Sequence, residues 1–273
     1  MTMRPPLVTP YFPHFRADSL CSPGADTAAL LDGTISAVCG GLSPLLRKDE
    51  EWPQCKECGN PLVPYIQINV SPACAGTPKA FQQAVPPLEP EGATFLQVLI
   101  CSMTTDFGTC FEGWVNCITE GDSWLVRRVS FAADFHDLAD AATHKSICER
   151  LEEDEDITVL PERVISEWTA GNPEAEHREG WLYAAEDQEW YAEHQPAEGL
   201  KLLGCPVRGK YYNYTSAPDG CTEGNAGAHE SWRCLVQLGT REEDNPVYTT
   251  GNIFVHQCTL HPDVFEAVCS GTW

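Results

Sequence analysis

The sequence predicts an α+β, β-rich fold in which two similar sheet-containing halves are bridged by an acidic helical segment. Three observations predict it: apolar runs of strand length in both halves, a charge-rich helical stretch between them, and an order of features that recurs. We divide the chain into a Pro-rich N-terminal arm (1–37), a first β-rich half (38–135), an acidic helical bridge (136–199) and a second β-rich half (200–273).

The N-terminal arm carries four prolines within its first thirteen residues, and a short helical pattern follows at residues 25–31. We expect this lead to pack as an arm or to fray. In the first half, residues 65–70 alternate as a half-buried strand does, and residues 95–101 form a continuous apolar run of strand length. Residues 123–131 predict a further strand. The first half is therefore predicted to form a sheet.

The acidic bridge shows helical periodicity at residues 144–151, 164–168 and 181–191. Residues 149–198 contain sixteen acidic and three basic residues, so they supply thirteen of the 23 net negative charges of the chain. One interpretation is a solvated linker or helix face, and the other is a docking surface for a basic protein partner. In the second case the aromatic anchors of the interface would be three tryptophans, Trp168, Trp181 and Trp190.

The two β-rich halves share an order of features: a glycine-containing turn, a cysteine, a first strand, and a second strand that ends in cysteine. In the first half these are Gly40-Gly41, Cys55 and Cys58, residues 65–70, and residues 95–101. In the second half they are Leu203-Gly204, Cys221, residues 234–238, and residues 252–258. We interpret this order as an internal duplication around a pseudo-twofold axis.

Composition limits the class of partner. Lys+Arg 17 against Asp+Glu 40 gives a formal charge of -23, which repels nucleic-acid phosphates and anionic lipid, so we expect no nucleic-acid partner and no membrane partner. The first fifteen residues lack the apolar run of a secretion signal, which favours a cytoplasmic protein. The fourteen cysteines leave a secreted disulfide-rich effector or toxin as an alternative, although chain length and the missing export signal favour reduced thiols.

Cys55-Lys-Glu-Cys58-Gly59 is the sharpest motif in the sequence. Two thiolates separated by two residues reach one tetrahedral metal because a tight turn aims both sulfur atoms inward, and the following glycine relieves the strain of that turn. Cys101 and Cys110 complete a Cys₄ set for a structural zinc. Two alternatives stay open. A redox pair fits poorly because a strand is predicted to follow where a redox motif has a helix, and thiols without metal are the other alternative.

A second group of metal donors lies towards the C-terminus. His256 and Cys258 lie on one face of a predicted strand because alternate side chains point the same way, and His261 follows in a turn. With Cys221 they predict a second metal site. The alternative is that His256 is a packing residue of the strand.

The sequence offers no convincing catalytic centre. Asp134, His136 and Asp137 form the only compact His/Asp group, and we interpret it as a helix cap in which Asp137 starts a helix. The alternative is an acid–base or metal role for this group. A hydrolase-type enzyme would use this group, or His256 with His261, in a pocket between the two halves. We therefore expect a binding or adaptor protein and keep an enzyme as the alternative.

A family resemblance follows from several of these motifs. The sequence resembles the YwqG-like family of uncharacterised proteins at Gly40-Gly41, Trp52-Pro53, the Cys55-to-Gly59 motif with Pro61-Leu62, the strand that contains Gln67 and the strand that ends at Cys101. The segment 251–262 resembles the same family. The resemblance covers residues 38–273 and implies a duplicated β-rich fold. The knuckle and the glutamine-containing strand are also similar to the programmed cell death 2 family, whose members escort a basic ribosomal protein. This second similarity implies a binding role.

Overall fold

The computed structural model describes residues 8–16, 25–42, 44–89, 92–101, 104–105, 108–109, 124–140, 142, 144–153, 161–173, 199–204, 232–238 and 251–271. In chain order the first elements are β1 (Tyr11–Phe15), α1 (Ala25–Leu31), β2 (Ala37–Cys39), β3 (Leu62–Asn69), α2 (Lys79–Ala84), β4 (Ala93–Cys101), β5 (Thr104–Thr105) and β6 (Gly108–Thr109). The remaining elements are β7 (Trp124–Phe131), α3 (Lys145–Glu153), β8 (Arg163–Ala170), β9 (Lys201–Leu202), β10 (Trp232–Leu238), β11 (Gly251–Cys258) and β12 (Phe265–Gly271).

Ten of these strands form one antiparallel sheet in the order β12-β11-β10-β9-β1-β8-β2-β3-β4-β7. Strands β5 and β6 form a separate two-stranded hairpin. The two edge strands, β7 and β12, lie close to each other, so the large sheet is nearly closed. The order places β1 and β8 at the centre of the sheet, with four strands on either side of this pair.

Strand β4 is buried at all nine positions, which explains its continuous apolar sequence. Successive side chains of a strand point to opposite faces. Leu96, Val98 and Ile100 join the main core inside the curled sheet, whereas Phe95 and Leu99 belong to two smaller clusters on the outside. The strand is therefore apolar without alternation because both of its faces are covered.

The main core draws side chains from nearly every strand of the large sheet. It includes Ala37, Ile66, Ile165, Leu202, Val236 and Val255. A second cluster joins α1 and the segment after β2 to the outer face of the sheet, and a third lies beneath the predicted zinc knuckle. The predicted strands at residues 65–70, 95–101, 123–131, 234–238 and 252–258 are thereby confirmed within one or a few residues at their ends.

The helical prediction for residues 164–168 is wrong, because these residues lie in β8 at the centre of the sheet. Val164 and Ile165 are both fully buried, one in an outer cluster and the other in the main core. Two adjacent buried positions followed by a buried Trp168 imitate the spacing of a helix face. The acidic bridge is thus not helical throughout its described part. The helix predicted at residues 144–151 is confirmed as α3, and residues 181–191 lie outside the described residues.

The N-terminal arm contains regular secondary structure. Its predicted helix is confirmed as α1, but Tyr11–Phe15 forms β1, which pairs with both β8 and β9. The Pro-rich composition concealed this strand, since Pro13 has no N–H to donate to a ladder. A shift of register between His14 and Phe15 accompanies it. Within the part of the chain that the structure describes, no helix combines the length and hydropathy needed to cross a bilayer.

Candidate metal centre

The Cys55-x-x-Cys58 motif forms a tight hairpin turn before β3. The backbone N–H of Cys55 donates to the carbonyl of Asn60 at 2.8 Å, and the N–H of Gly59 donates back to the carbonyl of Cys55 at 2.8 Å. Gly59 has a φ of 74°, a left-handed conformation that glycine adopts without steric cost. The turn chemistry predicted from the sequence is therefore confirmed at Gly59.

Trp52 attaches this knuckle, residues 52–61, to the body of the protein. Its ring is 5% exposed, and its indole N–H donates to the carbonyl of Leu62 at 2.8 Å. His144, just before α3, packs edge-on against the same ring with a centroid distance of 5.4 Å. The base of the knuckle is thus fixed both to β3 and to the start of α3.

A buried polar network holds the chain that leads into the knuckle. The amide of Gln97 donates to the carbonyl of Leu45 at 2.9 Å and to the side-chain oxygen of Gln67 at 2.8 Å, and that oxygen also accepts the N–H of Leu45 at 2.8 Å. Arg127 donates from Nε to the side-chain oxygen of Gln97 at 2.8 Å and forms an ion pair with Glu50. Three neighbouring strands therefore clamp the segment 45–50 against the sheet.

Cys55, Cys58 and Cys101 converge at the end of β4. Their three sulfur atoms lie within 4.8 Å of one another, and the Sγ atoms of Cys58 and Cys101 are 3.5 Å apart. Sulfur atoms around one tetrahedral zinc are about 3.8 Å apart, given Zn–S bonds of about 2.3 Å. Within the described ranges this is the only such group of three or more His, Cys, Asp or Glu donors. The structure thus brings together three of the four cysteines that the sequence predicts as ligands of one zinc ion.

Burial divides the three cysteines into two kinds. Cys55 and Cys101 are 1% and 4% exposed and pack with Leu62, Leu99 and the partly buried Leu125, whereas Cys58 is exposed. Thiolates held this close in an apolar setting repel one another unless a cation lies between them. A soft or borderline divalent ion suits such a sulfur set best. The arrangement can therefore hold a metal at its solvent edge with no loss of core packing.

Cys110, the fourth predicted ligand, lies outside the described residues. Its neighbour Thr109 is described, and it pairs with Thr104 in the β5–β6 hairpin. Thr104 is only three positions beyond Cys101. The hairpin therefore returns the backbone at Thr109 to the side of Thr104.

The predicted second site is brought together in part. The Sγ of Cys258 lies 3.6 Å from Nδ1 of His261, whereas Cys221 lies outside the described residues. His256 is 1% exposed, and its ring stacks on Phe254 of the same strand with a centroid distance of 6.1 Å. Burial lowers the pKa of His256 to about 3, so its imidazole is neutral at neutral pH. It has the environment of the packing residue that the sequence offered as the alternative.

The Asp134, His136 and Asp137 group lies on an exposed turn after β7. His136 Nδ1 is 2.6 Å from a carboxylate oxygen of Asp134, and both side chains are more than 70% exposed, at 71% and 74%. The hydrogen bond to Asp134 raises the pKa of His136 and lowers that of Asp134. No helix begins at Asp137, which corrects the capping prediction. Its carboxylate instead accepts the N–H of Ala132 at 3.1 Å and closes the turn.

Trp168 is a core residue, which corrects its assignment as a surface anchor. It is 8% exposed and belongs to the main core. Trp181 and Trp190 lie outside the described residues. An open hollow of about 410 Å³ lies against α3, and its lining residues Ser146, Glu149, Arg150 and Glu153 all come from that helix. It is not the pocket between two halves that an enzyme would use.

The redox alternative finds no support in the structure around the motif. Cys58 is followed by Gly59 and β3, where a redox motif would be followed by a helix. The chain matches no known protein family and no curated protein. The geometry of the sulfur cluster is therefore the main guide to function.

Proposed function

We propose that this protein is a zinc-stabilised acidic binding protein that escorts a basic protein partner. The observation that carries the proposal is the convergence of Cys55, Cys58 and Cys101 within 4.8 Å. The acidic surplus of residues 149–198 favours a basic partner. The resemblance to the YwqG-like and programmed cell death 2 families points in the same direction, since the second family implies escort of a basic protein. Reduced thiols in a metal site suit a cytoplasmic setting.

The metal in this proposal is structural. Sets of thiolate ligands form closed tetrahedral sites that leave no open position for a substrate, and two of the three sulfur atoms belong to buried residues. Cys110 is the fourth ligand of this proposal. Because the cluster links the knuckle to the end of β4, the ion would fasten residues 52–61 to the sheet. Structural zinc typically contributes on the order of 10 kcal/mol to folding.

Exposed carboxylates in the described part of the acidic segment support a docking role. Glu149, Glu152 and Glu153 are exposed on α3, while Leu151 of the same helix is buried. The helix is thus attached by one face and presents carboxylates on the other. Such a surface speeds encounter with a basic protein and makes binding sensitive to salt.

An internal duplication is the second part of the proposal, and the strand order supports it. On one side of the central pair the strands run β2-β3-β4-β7, and on the other side β9-β10-β11-β12, each in chain order from the centre outwards. β1 precedes the first run but pairs with β9, and β8 precedes the second run but pairs with β2. The first strand of each half therefore pairs with the other half, and this exchange is reciprocal, as a pseudo-twofold axis requires.

Local backbone geometry supports the same duplication. Gly40 and Gly41 follow β2 with φ angles of 69° and 87°, and Leu203 and Gly204 follow β9 with φ angles of 57° and 79°. A leucine in the left-handed region is uncommon, because its Cβ crowds the backbone. Two consecutive left-handed residues at the same place in both runs are therefore a specific match.

The neighbouring strands carry matching bulges. The register of β3 against β4 shifts at Tyr65, and that of β10 against β11 shifts at Leu235. The carbonyl of each bulged residue accepts an N–H from the first left-handed residue of its turn, at 2.9 Å for Tyr65 and 2.8 Å for Leu235. A buried glutamine, Gln67 or Gln237, stands two positions later in each strand. These matches equate β3 with β10 residue by residue.

Metal analysis of the purified full chain tests the zinc proposal. We expect Cys58→Ser to lower the zinc content by one ion per chain, because it removes an exposed ligand and leaves the core intact. Cys148→Ser, which changes a half-buried thiol on α3, is the matched control and should leave the zinc content unchanged. An equal zinc content in the wild type and Cys58→Ser would contradict the proposal.

Binding to purified basic ribosomal proteins at low and high salt tests the partner. We expect binding that weakens with salt and is reduced by the triple change Glu149→Gln, Glu152→Gln and Glu153→Gln. The matched control neutralises three exposed carboxylates outside both the acidic segment and the knuckle, Asp49→Asn, Glu51→Gln and Glu89→Gln. Equal weakening by both triple variants would point to bulk charge alone. Salt-independent capture of a small molecule would favour the enzyme alternative.

A further inference from the structure

We propose that Cys258 and His261 bind a second divalent metal ion, of the borderline-soft kind that zinc exemplifies, at the end of β11. The inference rests on the duplication put forward above and extends it from the backbone to the metal chemistry. It names a site in the second half of the chain that is separate from the Cys55, Cys58 and Cys101 cluster.

Strand register places Cys258 at the position that corresponds to Cys101. Leu62 of β3 pairs with Cys101 of β4, and Trp232 of β10 pairs with Cys258 of β11. Leu62 lies five positions before the matching glutamine of its strand, and Trp232 lies five positions before the glutamine of β10. Both cysteines end their strands and both are buried, at 4% and 0% exposed. The duplicated fold therefore carries a thiol to the same place twice.

The distance between the two donor atoms fits a common metal. The Sγ of Cys258 and Nδ1 of His261 are 3.6 Å apart. A zinc ion with bonds of about 2.3 Å to sulfur and about 2.0 Å to nitrogen separates two such ligands by about 3.5 Å in a tetrahedron. Imidazole nitrogen and thiolate sulfur are both ordinary zinc ligands. The pair supplies two ligands, and water or further donors complete the shell.

The turn between β11 and β12 fixes the histidine against the cysteine. The N–H of Cys258 donates to the carbonyl of Val264 at 3.0 Å, and the N–H of Val264 donates to the carbonyl of His261 at 2.9 Å. The side chain of Gln257 donates to the carbonyl of Pro262 at 2.9 Å. An ion pair between Asp263 and Arg128 ties the turn to β7. The donors are held in place by groups that are not ligands, as an outer shell does in metal sites.

Exposure at the second site parallels that at the first. Cys258 is buried and His261 is partly exposed, just as Cys101 is buried and Cys58 is exposed. An ion can therefore reach each pair from solvent, while the strand cysteine keeps it anchored to the sheet. A hydrogen bond between the thiol and the imidazole is the competing explanation of the 3.6 Å contact, and it would need no metal.

Metal counting on the full-length protein tests the inference with zinc and cobalt as probes. We expect two ions per chain in the wild type and one in His261→Asn, a change at a partly exposed position that leaves the core intact. Cys234→Ser, at a buried cysteine of the neighbouring strand, should keep both ions. In the cobalt-loaded protein, His261→Cys should restore the second ion and increase the sulfur-to-cobalt absorption.

The outcomes separate this inference from the proposed function. If the wild type holds one ion, and this ion is lost in Cys58→Ser but kept in His261→Asn, the second site is overturned and the first site is supported. Two ions that both persist in His261→Asn also overturn it. No bound ion in the wild type defeats both. If His261→Asn loses one ion but keeps the ion that Cys58→Ser loses, the second site is supported independently of the first.

Discussion

Replacing Gln97 with leucine should destabilise the protein out of proportion to the size of the change. Gln97 is fully buried, and its amide links the carbonyl of Leu45, the side chain of Gln67 and Nε of Arg127. In Gln97→Leu the Leu45 carbonyl and the Arg127 Nε each lose a partner, while the oxygen of Gln67 still accepts the N–H of Leu45. A buried polar group without a partner costs about 1–3 kcal/mol. Because Arg127 is partly exposed, water offsets some of its loss, and we expect a total of about 3 kcal/mol.

Urea unfolding measures this loss as a shift of the midpoint at an unchanged m value. Gln257→Leu is the matched control, since Gln257 is only 2% exposed and, among the described residues, its side chain makes one hydrogen bond, to the carbonyl of Pro262. The control should lose about 1 kcal/mol. Equal losses in the two variants, or a loss below about 1 kcal/mol in Gln97→Leu, would refute the clamp as a special source of stability.

Two further predictions concern single contacts. Thr94→Val and Ser130→Ala should each lower the free energy of unfolding in urea by about 1–2 kcal/mol, because each leaves one buried hydroxyl of a 2.7 Å pair without its partner. The double variant should lose about 1 kcal/mol less than the sum of the two single losses. Strict additivity would contradict this. His136 should titrate above the ordinary histidine pKa in wild type and return to it in Asp134→Asn, as followed by NMR of the ring protons. Since the pKa is raised in the folded state, the interaction is present at mildly acidic pH and lost as pH rises through that value. An unchanged titration in the variant would be the contrary result.

Sequence pattern predicted the strands of the sheet well where burial is simple. The β-rich class and five strands follow from apolar runs such as residues 95–101, because β4 is covered on both faces. The same double coverage misled the prediction at Val164 and Ile165. These adjacent residues face opposite sides of a central strand, and a pattern alone does not distinguish that from one face of a helix.

The convergence of Cys55, Cys58 and Cys101 was predictable because most of its chemistry is local. A turn of two residues and Gly59 at a φ of 74° bring Cys55 and Cys58 together, and the strand end supplies Cys101. The clamp around Gln97 was not predicted, because it joins three strands whose pairing no local pattern gives. Its signal was present in the sequence as glutamines within apolar strands, a residue type that is seldom buried without hydrogen bonds.

The central pair of strands has a consequence for how this chain acquires its structure during synthesis. His14 of β1 contacts Thr169 of β8 across 155 positions, and Tyr11 of the same strand pairs with Leu202. The middle of the sheet therefore stays incomplete on the ribosome until residue 202 has emerged, and contacts so distant in sequence form slowly. A fragment cut between the two runs of strands would lack an inner neighbour for β2 or for β9. Expression of either portion alone should give an aggregation-prone product, whereas co-expression of both portions offers each missing strand a source.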